Sequence, residues 1–344
     1  MHSRFIGPLE VSAIGLGCMN FSMGYGPADD AVSGQLLNEA LDAGYRFLDT
    51  ASMYGWGHNE QVIGNALKTR RSEYVLASKC GFSRNENGNS YEDGRPETLK
   101  RQCEESLTRL QTDVIDLYYL HRRDMDVPIE ESVGALADLV DAGKIRTIGL
   151  SEISTETLRR AHAESPVTAV QSEYSLWSRT PEFSLLDACT ELGIAFVPFS
   201  PLGRAFLTGK AMDVSQLAEN DLRATIARPR FEVDNYAQNV RLLEPYGAIA
   251  ERVGCSMAQL ALAWLLAQVD SAGNKTLVPI PGTKHIDFMH ENAGAGDIEL
   301  DAKTVAELDE LINEDTVVGT RYTTDRMEAS DSEQDRPTGI PPYY

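Results

Sequence analysis

Four residues able to move a proton stand at or just beyond the ends of three successive apolar runs. Asp49 ends FLDTA apart from its last two residues, Tyr54 follows five residues later in ASMYGWGHNE, Lys79 ends YVLASK, and His121 ends DLYYLH. A free tyrosine titrates near pH ~10; a neighbouring ammonium lowers that value by favouring phenolate, and a carboxylate paired to the ammonium keeps the lysine charged and placed. The tyrosine is then expected to serve as a general acid. A histidine across the site is expected to donate a hydrogen bond to a carbonyl oxygen, orienting it and sharing the charge that develops there.

The elements that must position these groups are legible as alternating strands and helices. Runs rich in β-branched and aromatic residues predict strands at Ile14–Cys18, Arg46–Asp49, Tyr74–Ser78, Val114–Leu120, Ile145–Leu150, Val167–Gln171, Ile194–Phe199 and Thr276–Ile280. Several are almost continuously apolar, as parallel strands covered by helices are. Between them, LLNEALDAG, ALADLVDAG and LDACTELG end at Gly44, Gly143 and Gly193, the punctuation of a helix turning into a strand. Pro96, Pro128 and Ser154 mark helix starts. Eight such units predict a (β/α)8 TIM barrel, in which catalytic groups gather at the C-terminal ends of the strands. No GxGxxG or GxxxxGK[ST] follows the first strand, as a doubly wound sheet would more usually require. RFIGPLEVS reads as an N-terminal β-hairpin turning at Gly7-Pro8 and plugging the barrel. A long loop from Arg204 to Asp234 leads to helices near Asn235–Val253 and Ser256–Gln268, and after the eighth strand come His285–Asn292 and Ala302–Ile312. The expected organisation is one barrel domain over 1–315 and a polar C-terminal tail over 316–344, either a substrate loop that closes the mouth or a flexible end.

Composition narrows the function classes. With 31 Lys+Arg against 52 Asp+Glu the 344-residue chain carries a formal charge of −21. A polyanion of this kind repels phosphate backbones and anionic lipid, and no local basic patch offsets it, so neither nucleic acid nor membrane is an expected partner. The segment from 297 to 344 holds 13 acidic and 4 basic residues, nearly half of the net charge. The five cysteines form no CxxC or His/Cys cluster, so no metal site is expected. The N-terminal run has no basic stretch followed by an apolar block, which reads as a cytoplasmic protein.

Over Arg4 to Asp315 the sequence resembles the aldo-keto reductase superfamily. GYRFLDTASMYGWGHNEQVIGNAL is similar to that family's strand-two signature, VLASKCGF to its lysine strand, and IDLYYLHRRD to its histidine strand. The resemblance implies a catalytic tetrad of Asp49, Tyr54, Lys79 and His121, and a cofactor, NADPH or NADP+ in preference to NADH. It implies that Met19 contacts the cofactor and that Ser151 and Gln171 lie near the nicotinamide carboxamide, with Tyr174 stacked under the ring. Ser200, Leu202, Gly203, Arg204 and Lys210, from SPLGRAFLTGK, would follow the pyrophosphate. Gly282, Thr283 and Lys284, from IPGTK, would reach the 2′-phosphate, with Glu291 and Asn292 at the adenine and Ile280 of the same segment also in contact with the cofactor. Thr283 and Lys284 precede a helix start, where unpaired N–H groups favour an anion.

The implied activity is reduction of an aldehyde or ketone to the alcohol, reversibly, on a small-molecule substrate. A binding role like that of the potassium-channel β subunits, which share the fold and cofactor, is the alternative; a Schiff-base aldolase using Lys79 is a third reading. Tyr25, Trp56, Arg122 and Trp177 are the expected pocket walls, with Met23, Arg123 and Arg179 nearby. Two positions depart from the family pattern: Glu152 stands where many members have Asn, and Phe288 where several have Arg or Gln. Substrate and oligomeric state are not encoded in any motif.

Overall fold

The computed structural model describes residues 1–210, 212–268 and 276–337; the end of the predicted tail, 338–344, lies outside them. The chain opens with an antiparallel hairpin, β1 (Ser3–Ile6) and β2 (Leu9–Ser12), turning where Gly7 takes φ +55°. The barrel strands follow: β3 (Leu16–Gly17), β4 (Phe47–Asp49) and β5 (Val75–Cys80), then a second hairpin, β6 (Phe82–Arg84) and β7 (Ser90–Glu92), then β8 (Ile115–Leu120), β9 (Ile145–Ser151), β10 (Val167–Glu173) and β11 (Ala195–Phe199). β3, β4, β5, β8, β9, β10 and β11 pair in that order, each parallel to the next.

Residues 276–282 close the ring as an eighth strand. They bridge β11 at Phe196↔Leu277 and β3 at Gly17↔Gly282. Pro279 and Pro281 lack N–H groups, yet their carbonyls accept from Gly15 and Gly17 at 2.9 and 3.2 Å. Val278 and Ile280 face the other way and donate to Phe196 and Pro198. Each proline therefore sits where only an acceptor is asked of it, which is how a VPIPGT segment serves inside a closed sheet.

Alternation along the strands sorts side chains into two cores. Phe47, Ala77, Leu117, Tyr119, Ala169, Val197, Val278 and Ile280 point into the barrel, and the hairpin residues Ile6, Leu9 and Val11 join them from below. Leu48, Leu76, Tyr118, Leu120, Ile148, Leu150, Val170 and Phe196 point outward onto the helices. The hairpin is thus the plug that its sequence implies. Arg4 fastens it, donating to the carbonyls of Leu277 (2.5 Å) and Leu266 (2.7 Å).

Around the sheet lie α1 (Asp30–Asp42), α2 (His58–Leu67), α3 (Pro96–Leu110), α4 (Ile129–Asp141), α5 (Thr155–Glu164) and α6 (Leu185–Leu192). Then come α7 (Val233–Asn239), α8 (Leu243–Val253), α9 (Met257–Ala267), α10 (Ile286–Gly294), α11 (Ala302–Leu311) and the short α12 (Thr324–Glu328). Capping follows the residues: Asp29 accepts from Val32, Ser154 from Thr157, and Ser256 with Gln259 forms a reciprocal capping box. The single helix expected over 235–253 is divided by a 3-10 turn at Val240–Leu242. Pro245 explains the division, since its ring crowds the carbonyl four residues back, at Arg241. Among the described residues no single helix is long and apolar enough to cross a membrane.

Inside the barrel Gly149 of β9 lies against the ring of Tyr119: a Cβ there would come within 2.3 Å of Tyr119 Cδ1. Gly149→Val is expected to cost about 1–3 kcal/mol by overpacking. The measurement is a urea titration, with a lower midpoint and an unchanged slope.

Candidate functional site

At the C-terminal ends of the strands the inward-pointing positions converge on one cavity of about 610 Å³. Counting by twos, Phe47 leads to Asp49, Ala77 to Lys79, Tyr119 to His121, Gly149 to Ser151, Ala169 to Gln171, and Val197 to Phe199. These six form the top layer of the barrel, and all except Lys79 line the cavity.

Lys79 lies just beneath, fully buried, and bonds through its ammonium to Asp49 Oδ1 and, at 2.8 Å, to the carbonyl of Thr50. Asp49 Oδ2 accepts from Gln171 Nε2 at 2.8 Å. Burial works against the Lys79 charge, but Asp49 and Tyr54 outweigh it and hold the amine above its ordinary value. Burial also lifts the Asp49 carboxyl, against the pull of Lys79 and Gln171. So enclosed an ammonium is a poor nucleophile, which counts against the Schiff-base reading.

Tyr54 enters from the loop after β4. Its ring lies 5.1 Å from Lys79 Nζ and meets His121 edge-on, centroids 5.7 Å apart. Lys79 and Arg122 do pull the phenol down, as expected, but burial is the larger effect and the net direction is upward. The phenol therefore keeps its proton more firmly than the sequence argument supposed. His121 is pushed well below the usual histidine range by burial, then by Arg122 and Lys79. It stays neutral, and a neutral imidazole has one N–H to give. Phe82 packs edge-on against its ring at 5.1 Å.

Most of the remaining expected residues reach the cavity: Met19, Tyr25, Arg122, Ser200, Leu202, Lys210, Ile280, Gly282, Thr283, Lys284, Glu291 and Asn292 all line it. Thr283 Oγ1 accepts from the His285 amide at 3.0 Å, immediately before α10, whose N-terminus has no side-chain cap. Lys284 reaches across the cleft to the carbonyls of Tyr25 (2.9 Å) and Pro27 (2.7 Å). Lys210 lies 3.8 Å from the centre of the Phe288 ring. Among the described residues neither lysine has a carboxylate partner, so the far end of the cavity is positive.

Five expectations are corrected. Tyr174 does not face the cavity: it falls one residue out of the inward register, packs against Phe196 and Trp264, and donates to Glu182. The aromatic face in the top layer is Phe199 instead. Trp177 is buried behind the loop, stacked on Phe206 at 4.0 Å. Trp56 is turned outward under Arg84 of β6, 4.0 Å from its guanidinium carbon. Gly203 supports the loop from behind, at φ +55°, where a Cβ would meet the Trp177 ring at 2.9 Å. Arg204 touches the cavity, but its guanidinium is committed to Glu173 at 2.8 Å.

The hairpin residues of the cavity carried no expectation, and of the tail only closure of the mouth, as against a flexible end, was expected. The β6/β7 hairpin contributes Phe82, Ser90 and Glu92. Its signal was the polar turn Asn85-Glu86-Asn87-Gly88-Asn89, where Asn85 Oδ1 accepts from the Asn87 and Asn89 amides. The tail contributes Tyr322, Arg326, Ala329 and Ser330. Described as far as 337, it is bound to the barrel mouth by charge. Arg123 pairs with Asp331 at 2.7 Å, and Asp335 accepts from the Thr155 amide at the start of α5.

Glu152 anchors that segment. It stands at φ +53°, buried, and accepts from Arg321 at 2.6 Å, from Ser332 at 2.8 Å and from the Glu173 amide at 2.8 Å. Burial raises its carboxyl, but Arg321 and Arg122 more than reverse that and hold it at about 2. Trp56, Ser200, Arg204 and Ala205 also take left-handed backbone near this mouth, so residues without glycine's freedom concentrate around the site.

Comparison with known proteins agrees with this architecture. The profile of the aldo/keto reductase family matches residues 13–313. Aldo-keto reductase yakc [NADP(+)] of Schizosaccharomyces pombe is 42% identical over 326 residues, 93% of this chain and 94% of its own. A glycerol dehydrogenase from Gluconobacter oxydans superposes with a TM-score of 0.80 at 27% identity, covering 90% of this chain and 94% of its own. An aldo/keto reductase from Klebsiella pneumoniae, solved with NADP and acetate, gives 0.68 at 30% identity over 88% and 92%.

Removing the anchor tests the role of Glu152. Glu152→Ala removes one of the two acids that the buried Arg321 meets at 2.6 Å and leaves Glu333, so a stability loss of about 1.5–3 kcal/mol, the range of hydrogen bonds to a charged group, is expected. Urea unfolding measures the loss, and amide hydrogen exchange is expected to quicken through 320–336.

Proposed function

This chain belongs to the aldo/keto reductase family, and from that membership we propose that it is an NADPH-dependent oxidoreductase reducing an aldehyde or ketone to the alcohol, and running in reverse with NADP+. The observation that carries the reading is the top layer itself: a buried Asp49 and Lys79 pair, the Tyr54 ring above it, and a neutral His121 edge-on to that ring in one cavity.

The cavity residues suit the dinucleotide. Phe199 offers a flat apolar face, while Gln171, whose amide nitrogen is held by Asp49, keeps its oxygen for a carboxamide. Ser200, Leu202 and Lys210 would follow the pyrophosphate. Thr283, Lys284 and the uncapped start of α10 supply donors and positive charge for a phosphate. Glu291 and Asn292 would meet the adenine. The S. pombe relative is named for NADP(+) and the K. pneumoniae protein was solved with NADP, which favours the phosphorylated cofactor.

When bound, the dinucleotide supplies the hydride. The chain's own groups do the rest. Tyr54 gives its proton to the carbonyl oxygen, and Lys79, kept charged by Asp49, stabilises the phenolate left behind. His121 donates its single N–H to the same oxygen, orienting the carbonyl and sharing its developing charge. Phe82 and the hairpin wall exclude water on that side.

Two measurements test this. Tyr54→Phe is expected to lower kcat by at least ~10²-fold, the range of a lost general acid, while NADPH binding followed by fluorescence is retained. No turnover of any aldehyde or ketone by the wild type would leave a binding protein instead. In the pH profile of kcat/KM for reduction, no inflection is expected near the ordinary histidine value of about 6.5, because His121 is held neutral. Activity is expected to fall only on the alkaline side, as Tyr54 loses its proton.

A further inference from the structure

Most guanidinium groups around the mouth have an acid of their own. Arg123 pairs with Asp331, Arg204 with Glu173, Arg223 with Asp221 and Arg321 with Glu152. Arg122 differs. It follows His121 directly, lines the cavity half-buried, and has no carboxylate within ion-pair distance among the described residues. Its Nη1 donates to the carbonyl of His121 at 2.6 Å and to Ser151 Oγ at 3.0 Å, which fixes the group in place. Its Nε and Nη2 have no protein acceptor among the described residues.

A guanidinium presents its donors as a planar fork matched to a carboxylate, and such charge-assisted bonds are the strong ones. Here the fork is held beside the catalytic histidine with part of its donor set unspent. A second cation, Arg326 of α12, stands on the tail wall of the same cavity, also without an ion-pair partner among the described residues. Two acids border the cavity at this end, Glu92 of β7 and Glu152; the Glu152 carboxylate is spent on Arg321, Ser332 and the Glu173 amide, so Arg122 and Arg326 outnumber the one acid, Glu92, that has no ion-pair partner among the described residues. Met23, Phe82 and Tyr322 add apolar wall for the hydrocarbon between two polar ends. The setting makes this local charge necessary: a chain at −21 repels anions at long range. A half-buried partner is screened far less than the surface field and can reverse that preference at contact.

We propose that Arg122 is a specificity-determining residue that binds a carboxylate on the substrate, so that the preferred substrates are oxo acids, aldehydes or ketones that also carry a carboxylate. The inference rests on the reductase reading above and deepens it by naming the substrate class. It assigns Arg122 to the group remote from the reacting carbonyl and leaves Tyr54 and His121 to the carbonyl oxygen.

The test compares kcat/KM for 3- and 4-carboxybenzaldehyde with that for their methyl esters, at saturating NADPH. The wild type is expected to favour at least one acid over its ester by about tenfold or more, the range of a charge-assisted bond. Arg122→Gln is expected to remove that preference, and Arg122→Lys to keep its direction with a smaller ratio. Esters reduced as well as both acids by the wild type, or a preference that Arg122→Gln leaves intact, would overturn this inference alone. No reduction of either member of a pair would overturn the reductase reading and this inference with it.

Discussion

A parallel strand that closes into a barrel can turn only alternate side chains inward, and at its C-terminal end the last inward residue has nowhere to go but the mouth. That constraint organises the site. Asp49, Lys79, His121, Ser151, Gln171 and Phe199 come from six different strands and are far apart in sequence, yet each is an inward position at or next to the C-terminal end of its strand. The layers beneath them, from Phe47 and Tyr119 down to the hairpin residues Ile6 and Val11, are packed hydrocarbon. The reactive groups rest on a rigid floor.

On that floor, charge is handled by close pairing. Lys79 with Asp49, Arg204 with Glu173 and Arg321 with Glu152 are buried pairs, each with further hydrogen bonds that satisfy what the partner leaves over. Desolvating a charge is costly and pairing offsets it only when geometry is good, so these pairs fix orientation more than they add stability. Arg321 and Glu152 join a segment after residue 320 to the end of β9, and through Glu173 to the end of β10. The mouth is therefore one connected set of ion pairs, and the substrate end of the cavity is built from both the barrel and the segment that follows it.

Much of this was legible in the sequence. The eight strands, the plugging hairpin and the four proton-moving residues follow from apolar runs, turn glycines and polar strand ends. What was missed has identifiable causes. Tyr174 rests on the family resemblance alone, whereas a count by two from Ala169 skips it, and the same count from Val197 arrives at Phe199. Trp177 has an indole-sized space to fill behind the loop, and no local pattern separates that from a pocket wall. For the tail after residue 316 the reading stays open between a substrate loop and a flexible end, because its partners, Arg123, Glu152 and the start of α5, lie more than 150 residues upstream. The upward direction of the Tyr54 phenol depends on burial, which residue types alone do not report.

The fastening of the plug has a temporal side. The carbonyls that Arg4 binds belong to Leu266 and Leu277, more than 260 residues further along the chain. The bottom of the barrel thus stays unsealed until most of the chain has been made. A nascent chain must carry an unplugged and incomplete sheet for most of its synthesis, with its open strand edges satisfied last by a segment containing two prolines. Such long-range closure belongs to the slow end of folding, and closure of the barrel waits on the segment through residue 282 more than on any local helix or hairpin.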